Sequence, residues 1–170
     1  MRATEALAEL ARRPLDAAEA LRPKLVPELL DAHPHHDNSI AWLLWHTARE
    51  IDVQVADLSG NEPVWTALEF EQRFDFDRSD TSIGYGDSAA EARAIVCDDA
   101  DLLLEHLRAT VHTQIAYLRT LDDAALDEVI DESWDPPVTR GSRLISVSAD
   151  ALEHVGQAAY IAGLGAAAFE

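Results

Sequence analysis

The segment NSIAWLLWHTAREIDVQV, residues 38–55, decides the predicted fold because it combines a strong apolar helix pattern with one histidine. Apolar residues recur at spacings of three, four and seven, which places them on one face of a helix from about Ser39 to Leu58. His46 lies beside this face, and its ring nitrogens need a partner: a carbonyl, another side chain or a metal ion. The apolar face consists of Ile40, Leu44, Ile51, Val55 and Leu58.

Helical periodicity extends over most of the remaining chain, and prolines and glycines mark the expected helix ends. A first helix is expected to begin with Thr4 as its N-cap, to be interrupted at Pro14 and to resume until Pro23. Residues 89–121 predict either one long helix or two that meet at residues 97–99. The other segments predict a connection at 24–38, a short helix at 64–74, a loop at 77–88, a short helix at 122–130, a loop at 131–143 and a last helix at 144–164.

No segment shows a convincing strand pattern, and the sequence contains no internal repeat. The 170 residues suit one domain, and a hydrophobic content of 48% is typical of a globular protein. We therefore predict an all-α four-helix bundle that forms a single domain over residues 1–170, with long connections between the principal helices.

Charge and cysteine content narrow the function classes. Asp and Glu number 32 against 13 Lys and Arg, and the formal net charge of −19 disfavours binding to nucleic acid or to an anionic membrane. No apolar run is long enough to span a membrane, and the N-terminal residues lack the apolar centre of a signal peptide. Cys97 is the single cysteine, which fits a reducing cytoplasm. The charge does not bear on a small-molecule substrate held in an internal pocket, which is the expected partner.

The last predicted helix carries Asp150 and His154 one turn apart, on the same face and at the edge of its apolar stripe. If this helix packs against the helix of His46, the three side chains can meet at one end of the bundle. Two imidazoles and a carboxylate form a ligand set for Zn²⁺, with Ni²⁺ or Fe²⁺ as alternatives. The apolar stripe consists of Leu144, Val147, Ala151, Val155, Ala158 and Ala162.

The candidate ligands also have a structural interpretation. Asp150 and His154 could form a hydrogen bond on a helix surface, and His46 could be a core histidine with a backbone partner. Spacing alone does not decide between a metal site and these alternatives.

The other chemically active side chains are interpreted as structural. The histidines of HPHH, residues 33–36, could bind a metal adventitiously, but the segment is interpreted as a solvated loop. His106 and His112 are six residues apart and do not share a helix face. Cys97 lies beside two aspartates without an activating group, which argues against a nucleophilic thiol.

Two segments in combination resemble a known family. NSIAWLLWHTARE, residues 38–50, and ALEHVGQAAYIAGL, residues 151–164, are similar to the helical motifs of the DinB-like superfamily, also called DinB/YfiT-like metalloenzymes. The resemblance extends from about residue 15 to 164 and is greatest to the actinobacterial branch that includes mycothiol-dependent enzymes. IGYGDS, residues 83–88, and WDPPVTRGSRLISV, residues 134–147, also resemble loops of that branch.

The resemblance implies a DinB-like four-helix bundle with a long crossover connection and short extra helices, and a divalent metal held at one end. His46 occupies the place of the family's first ligand, and Asp150 and His154 match the two ligands on the last helix. Many members have His at the position of Asp150, and the mycothiol-dependent maleylpyruvate isomerases have Glu. Asp is one methylene shorter than Glu, which leaves metal affinity and metal identity open.

The same resemblance implies a low-molecular-weight thiol, such as mycothiol, which a bound cation would activate for attack on a small electrophile. Tyr85, Trp134, Arg140 and Arg143 lie in the loops expected to wall this cofactor site, and either arginine could hold a carboxylate. The alternative for each is an exposed loop residue or a salt-bridge partner. Rival functions are a metal-dependent hydrolase, a non-catalytic metal-binding or stress-related protein, and a bundle that has lost the metal.

A homodimer is also expected. Trp42 and Val53 lie outside the apolar stripe of their helix, and a single bundle would expose them. The alternative is that crossover loops cover these side chains.

Overall fold

Four long helices form the frame of the computed structural model, which describes residues 1–78 and 81–165. The α-helices are α1 (Ala3–Leu21), α2 (Pro27–Leu30), α3 (Ile40–Ser59), α4 (Val64–Ala67), α5 (Phe70–Phe74), α6 (Ala89–Arg93), α7 (Ala100–Leu118), α8 (Asp123–Leu126) and α9 (Arg140–Leu164). A 3₁₀ turn follows α1 at Arg22–Lys24, and two short strands, β1 (Val129–Asp131) and β2 (Val138–Thr139), pair antiparallel before α9.

The four long helices pack as a bundle in which α1 and α3 are diagonal. Helix α3 packs against α7 and α9, and α1 packs against the same two helices. Residues 60–99, which include α4, α5 and α6, form the long crossover between α3 and α7. This arrangement confirms the predicted all-α four-helix bundle with a crossover and short extra helices. No helix in the described ranges is both long enough and apolar enough to cross a membrane.

Helix α3 is the central element of the core. Its predicted apolar face is buried except at Leu58, which is half-buried, and the first half of the helix is buried on nearly every side. The crossover covers the side of α3 that the other long helices leave uncovered, because polar side chains of α3 bind the crossover backbone. Asp52 accepts hydrogen bonds from the backbone N–H groups of Val64 and Trp65, at 2.6 and 2.8 Å, and pairs with Arg49 at 3.0 Å.

The crossover also covers Trp42, which is only 5% exposed. Coverage by the crossover was the alternative to burial in a dimer interface. Trp42 therefore gives no support for the expected homodimer. Val53 is half-buried. The homodimer stays a prediction, which light scattering at micromolar concentration tests.

The predicted interruption of α1 at Pro14 is wrong, because the helix continues unbroken from Ala3 to Leu21. Pro14 is buried, and the packing of α1 against two neighbours outweighs the one backbone hydrogen bond that a proline removes. The predicted cap at Thr4 is also wrong: Arg2 is the N-cap, and its N–H donates to Glu5.

The two-helix alternative for residues 89–121 is confirmed. Helix α6 ends at Arg93, and α7 begins after Asp99, whose carboxylate accepts hydrogen bonds from the N–H groups of Asp101 and Leu102. Asp99, at the predicted junction of the two helices, is therefore the N-cap of α7.

The last helix begins earlier than predicted, at Arg140, inside the expected loop 131–143. Thr139 and Ser142 cap it reciprocally, and the short strand pair leads into this cap. Gly141 lies in the first turn because a Cβ there would come within 3.1 Å of the Leu126 carbonyl oxygen. Its role is close packing against Leu126.

Candidate metal centre

His46 lies in the buried part of α3 with 5% of its surface exposed. Its Nδ1 donates a hydrogen bond to the carbonyl oxygen of Ile83, and its ring stacks on Trp42 with ring centroids 4.5 Å apart. Because a carbonyl can only accept, this contact assigns the proton to Nδ1 and leaves the lone pair on Nε2. Burial lowers the pKa of His46 and keeps the imidazole neutral, which is the form that binds a metal.

The loop that supplies this carbonyl is held firmly against α3. Gly84 has a φ of +88°, and a Cβ there would lie 2.9 Å from Cζ2 of Trp42, so glycine allows the close approach. Trp42 Nε1 donates to Asp87 at 3.2 Å, and Arg78 binds the same carboxylate through two hydrogen bonds of 2.9 and 2.8 Å. These contacts fix the backbone acceptor that orients the buried imidazole.

Asp150 and His154 lie where α9 meets α3. The rings of His46 and His154 are 4.7 Å apart between centroids, with an interplanar angle of 78°. His154 Nε2 lies 3.4 Å from an oxygen of Asp150, and its Nδ1 lies 3.4 Å from the side-chain oxygen of Gln157. The structure thus brings together the three side chains that the sequence suggested as metal ligands; their occupancy by a metal stays a prediction.

Glu50 completes this cluster, and sequence analysis missed it. It lies one turn after His46 on α3, the same spacing that pointed to Asp150 and His154 on α9, so the signal was present. Its Oε2 is buried and has no hydrogen-bond partner among the described residues. Buried carboxylate oxygens are rarely left without a partner, and a cation would supply one.

The four side chains fit a divalent metal ion. His46, Glu50, Asp150 and His154 each offer one ligand atom, and these atoms all lie within 4.8 Å of one another. Two imidazole nitrogens and two carboxylate oxygens are donors that Zn²⁺, Ni²⁺ and Fe²⁺ accept. We refer to these four residues as the metal cluster.

The two carboxyl groups of the metal cluster interact strongly. Burial raises the pKa of Glu50 to about 9, and the neighbouring carboxyl group of Asp150 acts in the same direction. The interaction with Glu50 is the main cause that lowers the pKa of Asp150. Near neutral pH the pair therefore shares one proton, and a cation bound by both groups would favour its release.

Three of the four residues suggested for cofactor binding lie together beside the metal cluster. Tyr85, Trp134 and Arg143 line a depression of about 600 Å³ that also includes Glu50. Tyr85 and Trp134 are 89% and 65% exposed, so their rings are accessible to a bound molecule.

Arg140 does not line this depression. Its guanidinium donates to the carbonyl of Leu58 at 3.1 Å and to the carboxylate of Glu128 at 2.6 Å, and it also bonds the hydroxyl of Tyr117. These contacts tie the start of α9 to the end of α3. The geometry of Arg140 thus supports the alternative interpretation, in which this residue is a salt-bridge partner and does not bind a cofactor.

The HPHH segment lies beside the candidate centre. His36 is exposed and lines a depression of about 430 Å³ with three members of the metal cluster, His46, Asp150 and His154.

Cys97 is buried, and burial raises its pKa to about 11, which agrees with the expectation of an unreactive thiol.

Comparisons with known proteins agree with this fold. A family model described as the DinB superfamily matches residues 2–158. The crystal structure of a conserved protein from Enterococcus faecalis superposes with a TM-score of 0.89 and is 33% identical in sequence. That similarity covers 96% of this chain and 97% of the other chain. No curated protein matches the sequence.

Proposed function

The chain belongs to the DinB superfamily, and we propose that it is a metal-dependent enzyme that adds or transfers a low-molecular-weight thiol to a small electrophile. The observation that carries the proposal is the metal cluster, in which two histidines and two carboxylates from α3 and α9 converge. We propose Zn²⁺ as the ion, with Ni²⁺ or Fe²⁺ as alternatives. A reducing cytoplasm is the proposed compartment, because such a thiol must stay reduced there.

The metal half of the proposal is supported by how the ligands are prepared. His46 is neutral, buried and oriented by the Ile83 carbonyl, so little rearrangement is needed to present Nε2. Glu50 and Asp150 would compensate the charge of a divalent cation. A cation held by these residues would lower the pKa of a thiol that binds to it and so supply the nucleophile.

The thiol half of the proposal is supported by the resemblance of the IGYGDS and WDPPVTRGSRLISV segments to the mycothiol-dependent branch. Their residues Tyr85, Trp134 and Arg143 line the depression beside Glu50, which offers space for a second molecule. In an addition, a bond forms between sulfur and the electrophilic carbon, the S–H bond and the carbon–carbon π bond break, and the proton ends on the neighbouring carbon. In a substitution, the bond from carbon to its leaving group breaks instead, and the leaving group departs with the electron pair while the thiol proton goes to solvent. No catalytic residue is assigned.

The test is arylation of thiols by 1-chloro-2,4-dinitrobenzene, followed by absorbance. Mycothiol, bacillithiol, glutathione and cysteine would each be compared with tag-free protein loaded with Zn²⁺, Ni²⁺ or Fe²⁺, and with His154→Ala. We expect one thiol to react faster with the metal-loaded wild type than with the variant or with buffer.

Other outcomes would select the rival functions. Metal binding without acceleration for any thiol would favour a non-catalytic metal-binding protein. Release of 4-nitrophenol from its acetate ester by the metal-loaded protein, without any thiol, would favour a hydrolase. Absence of bound metal would overturn the proposal as a whole.

A further inference from the structure

A row of polar side chains continues away from the metal cluster along the groove between α3 and α9. On α3, Gln54 follows Glu50 by one turn. On α9, Arg143 precedes Asp150 by seven residues, two turns earlier on the same face and about 10 Å along the helix axis. Gln54 and Arg143 meet across the groove, where Arg143 Nη1 donates to the side-chain oxygen of Gln54 at 2.8 Å.

Two depressions lie along this groove and share a wall. The smaller contains His46, Asp150 and His154, and the larger contains Glu50 and Arg143. Tyr85 lines both. A molecule in the larger depression can therefore have one end beside Arg143 and the other beside the metal cluster.

Arg143 is suited to bind an anion in a way that Arg140 is not. The guanidinium of Arg140 is occupied by backbone carbonyls, a hydroxyl and Glu128. Among the described residues, Arg143 makes one hydrogen bond, to the neutral Gln54, and its nearest carboxylate oxygen, on Asp131, lies 3.6 Å away. That separation is too long for a hydrogen bond, so guanidinium N–H groups of Arg143 remain available to an incoming carboxylate.

We infer that Arg143 binds the carboxylate of a small anionic substrate in the depression that also contains Glu50 of the metal cluster. Trp134 and Tyr85 border the same depression and provide apolar surface for the body of such a molecule. This assignment rests on the proposed function for the identity of the reaction, but the binding of a carboxylate does not. The carboxylate belongs either to the thiol or to the electrophile.

Benzoate and the uncharged benzamide are the probes that test this inference. Each is titrated into tag-free protein, both metal-free and Zn²⁺-loaded, while NMR follows the Nε–H signal of Arg143 and the indole N–H signal of Trp134. Benzoate is expected to shift both signals and benzamide neither. Arg143→Gln should weaken benzoate binding about tenfold or more, and Arg143→Lys should restore part of it.

Asp131→Asn sharpens the test, because it removes the carboxylate that competes for Arg143 and keeps an acceptor oxygen for the N–H of Ser133. This variant should bind benzoate more tightly than wild type. Equal binding of benzoate and benzamide, or unchanged benzoate binding in Arg143→Gln with unchanged thermal stability, would overturn the inference. The metal-free titration separates this outcome from a failure of the metal site.

A thiol acid distinguishes the two sources of the carboxylate. If it belongs to the thiol, 3-mercaptopropionate will bind the Zn²⁺-loaded protein more tightly than 3-mercaptopropionamide, and Arg143→Gln will remove the difference. If it belongs to the electrophile, the two thiols will bind equally while benzoate still requires Arg143. Either result supports the assignment of Arg143.

Discussion

His46 and His106 are both buried histidines of the bundle, on α3 and α7, but their surroundings give them opposite chemistry. His46 has a carbonyl on one ring nitrogen and carboxylates near its other side. His106 lies among aromatic rings, 4.6 Å from Phe70 and 5.2 Å from Trp65, and neither nitrogen has a hydrogen-bond partner within the described ranges.

The charges that face the two imidazoles differ as well. Burial lowers the pKa of both, but the neighbours of His46 include Asp150 and Asp87, which counteract the effect. His106 faces Arg49 and Arg73, whose positive charges lower its pKa further.

Both arginines are themselves paired with carboxylates, Arg49 with Asp52 and Arg73 with Glu105. Burial alone therefore does not identify a metal ligand. A buried histidine is a candidate metal ligand when one ring nitrogen is oriented by a hydrogen bond and the other faces further ligands.

The largest expected effect separates the two histidines by metal affinity. His46→Ala should lower Zn²⁺ affinity by about 100-fold or more, because it removes an oriented ligand. His106→Leu should leave the affinity unchanged. A competition titration with a chromogenic chelator measures both, and equal affinities in the two variants would erase the distinction drawn here.

The pH dependence of stability should reveal His106 instead. In the unfolded chain its imidazole binds a proton below about pH 6.5, whereas the folded state keeps it neutral because its pKa is well below the ordinary value. Above that pH His106 does not reduce the free energy of unfolding. As the pH falls below it, the free energy of unfolding decreases by up to about 1.4 kcal/mol per pH unit.

His106→Leu should remove this loss and gain stability relative to wild type as the pH falls, by up to about 2 kcal/mol between pH 6.5 and pH 5. Urea unfolding at pH 5, 6 and 7.5 with chelator present measures the difference. His112→Leu, at an exposed position of the same helix, is the matched control. A difference between His106→Leu and wild type that is constant with pH would contradict the expectation.

Glu50 tests whether the cluster has a fourth member. Glu50→Gln keeps the shape but removes the anionic oxygen, and it should weaken Zn²⁺ binding about tenfold. Glu153→Gln, at an exposed position of α9, should have no effect. The same chelator titration applies, and wild-type affinity in Glu50→Gln would remove this residue from the site.

Asp150→His should have the smallest effect. Histidine is also a competent ligand, so the variant should bind Zn²⁺ within about threefold of wild type. Asp150→Ala should bind about tenfold more weakly, and Asp150→Asn should fall between these variants. If Asp150→Ala binds as tightly as wild type by chelator competition, the helix-surface hydrogen bond is the correct interpretation of Asp150.

Periodicity was sufficient to predict α3, α9 and the residues of their apolar stripes. It also placed His46, Asp150 and His154 at the edges of those stripes, where packed helices bring side chains together. Glu50 obeys the same one-turn spacing but was overlooked, because a charged residue near a stripe ordinarily faces solvent.

Other features depend on contacts that no local pattern contains. The environment of His106 is made by Trp65, Phe70 and Phe74 of the crossover, whose docking on α7 is a long-range event. The different roles of Arg140 and Arg143 likewise depend on how residues 123–131 pack against α9.

The central claim is that the metal cluster binds one divalent ion, and the most direct test is the metal content of tag-free protein. Wild type and the double variant His46→Ala/His154→Ala would be stripped, reloaded with Zn²⁺, desalted and analysed by mass spectrometry of the metal. The account predicts about one equivalent per chain for wild type and almost none for the double variant. Equal metal content in the two folded proteins, or none in wild type, would contradict it.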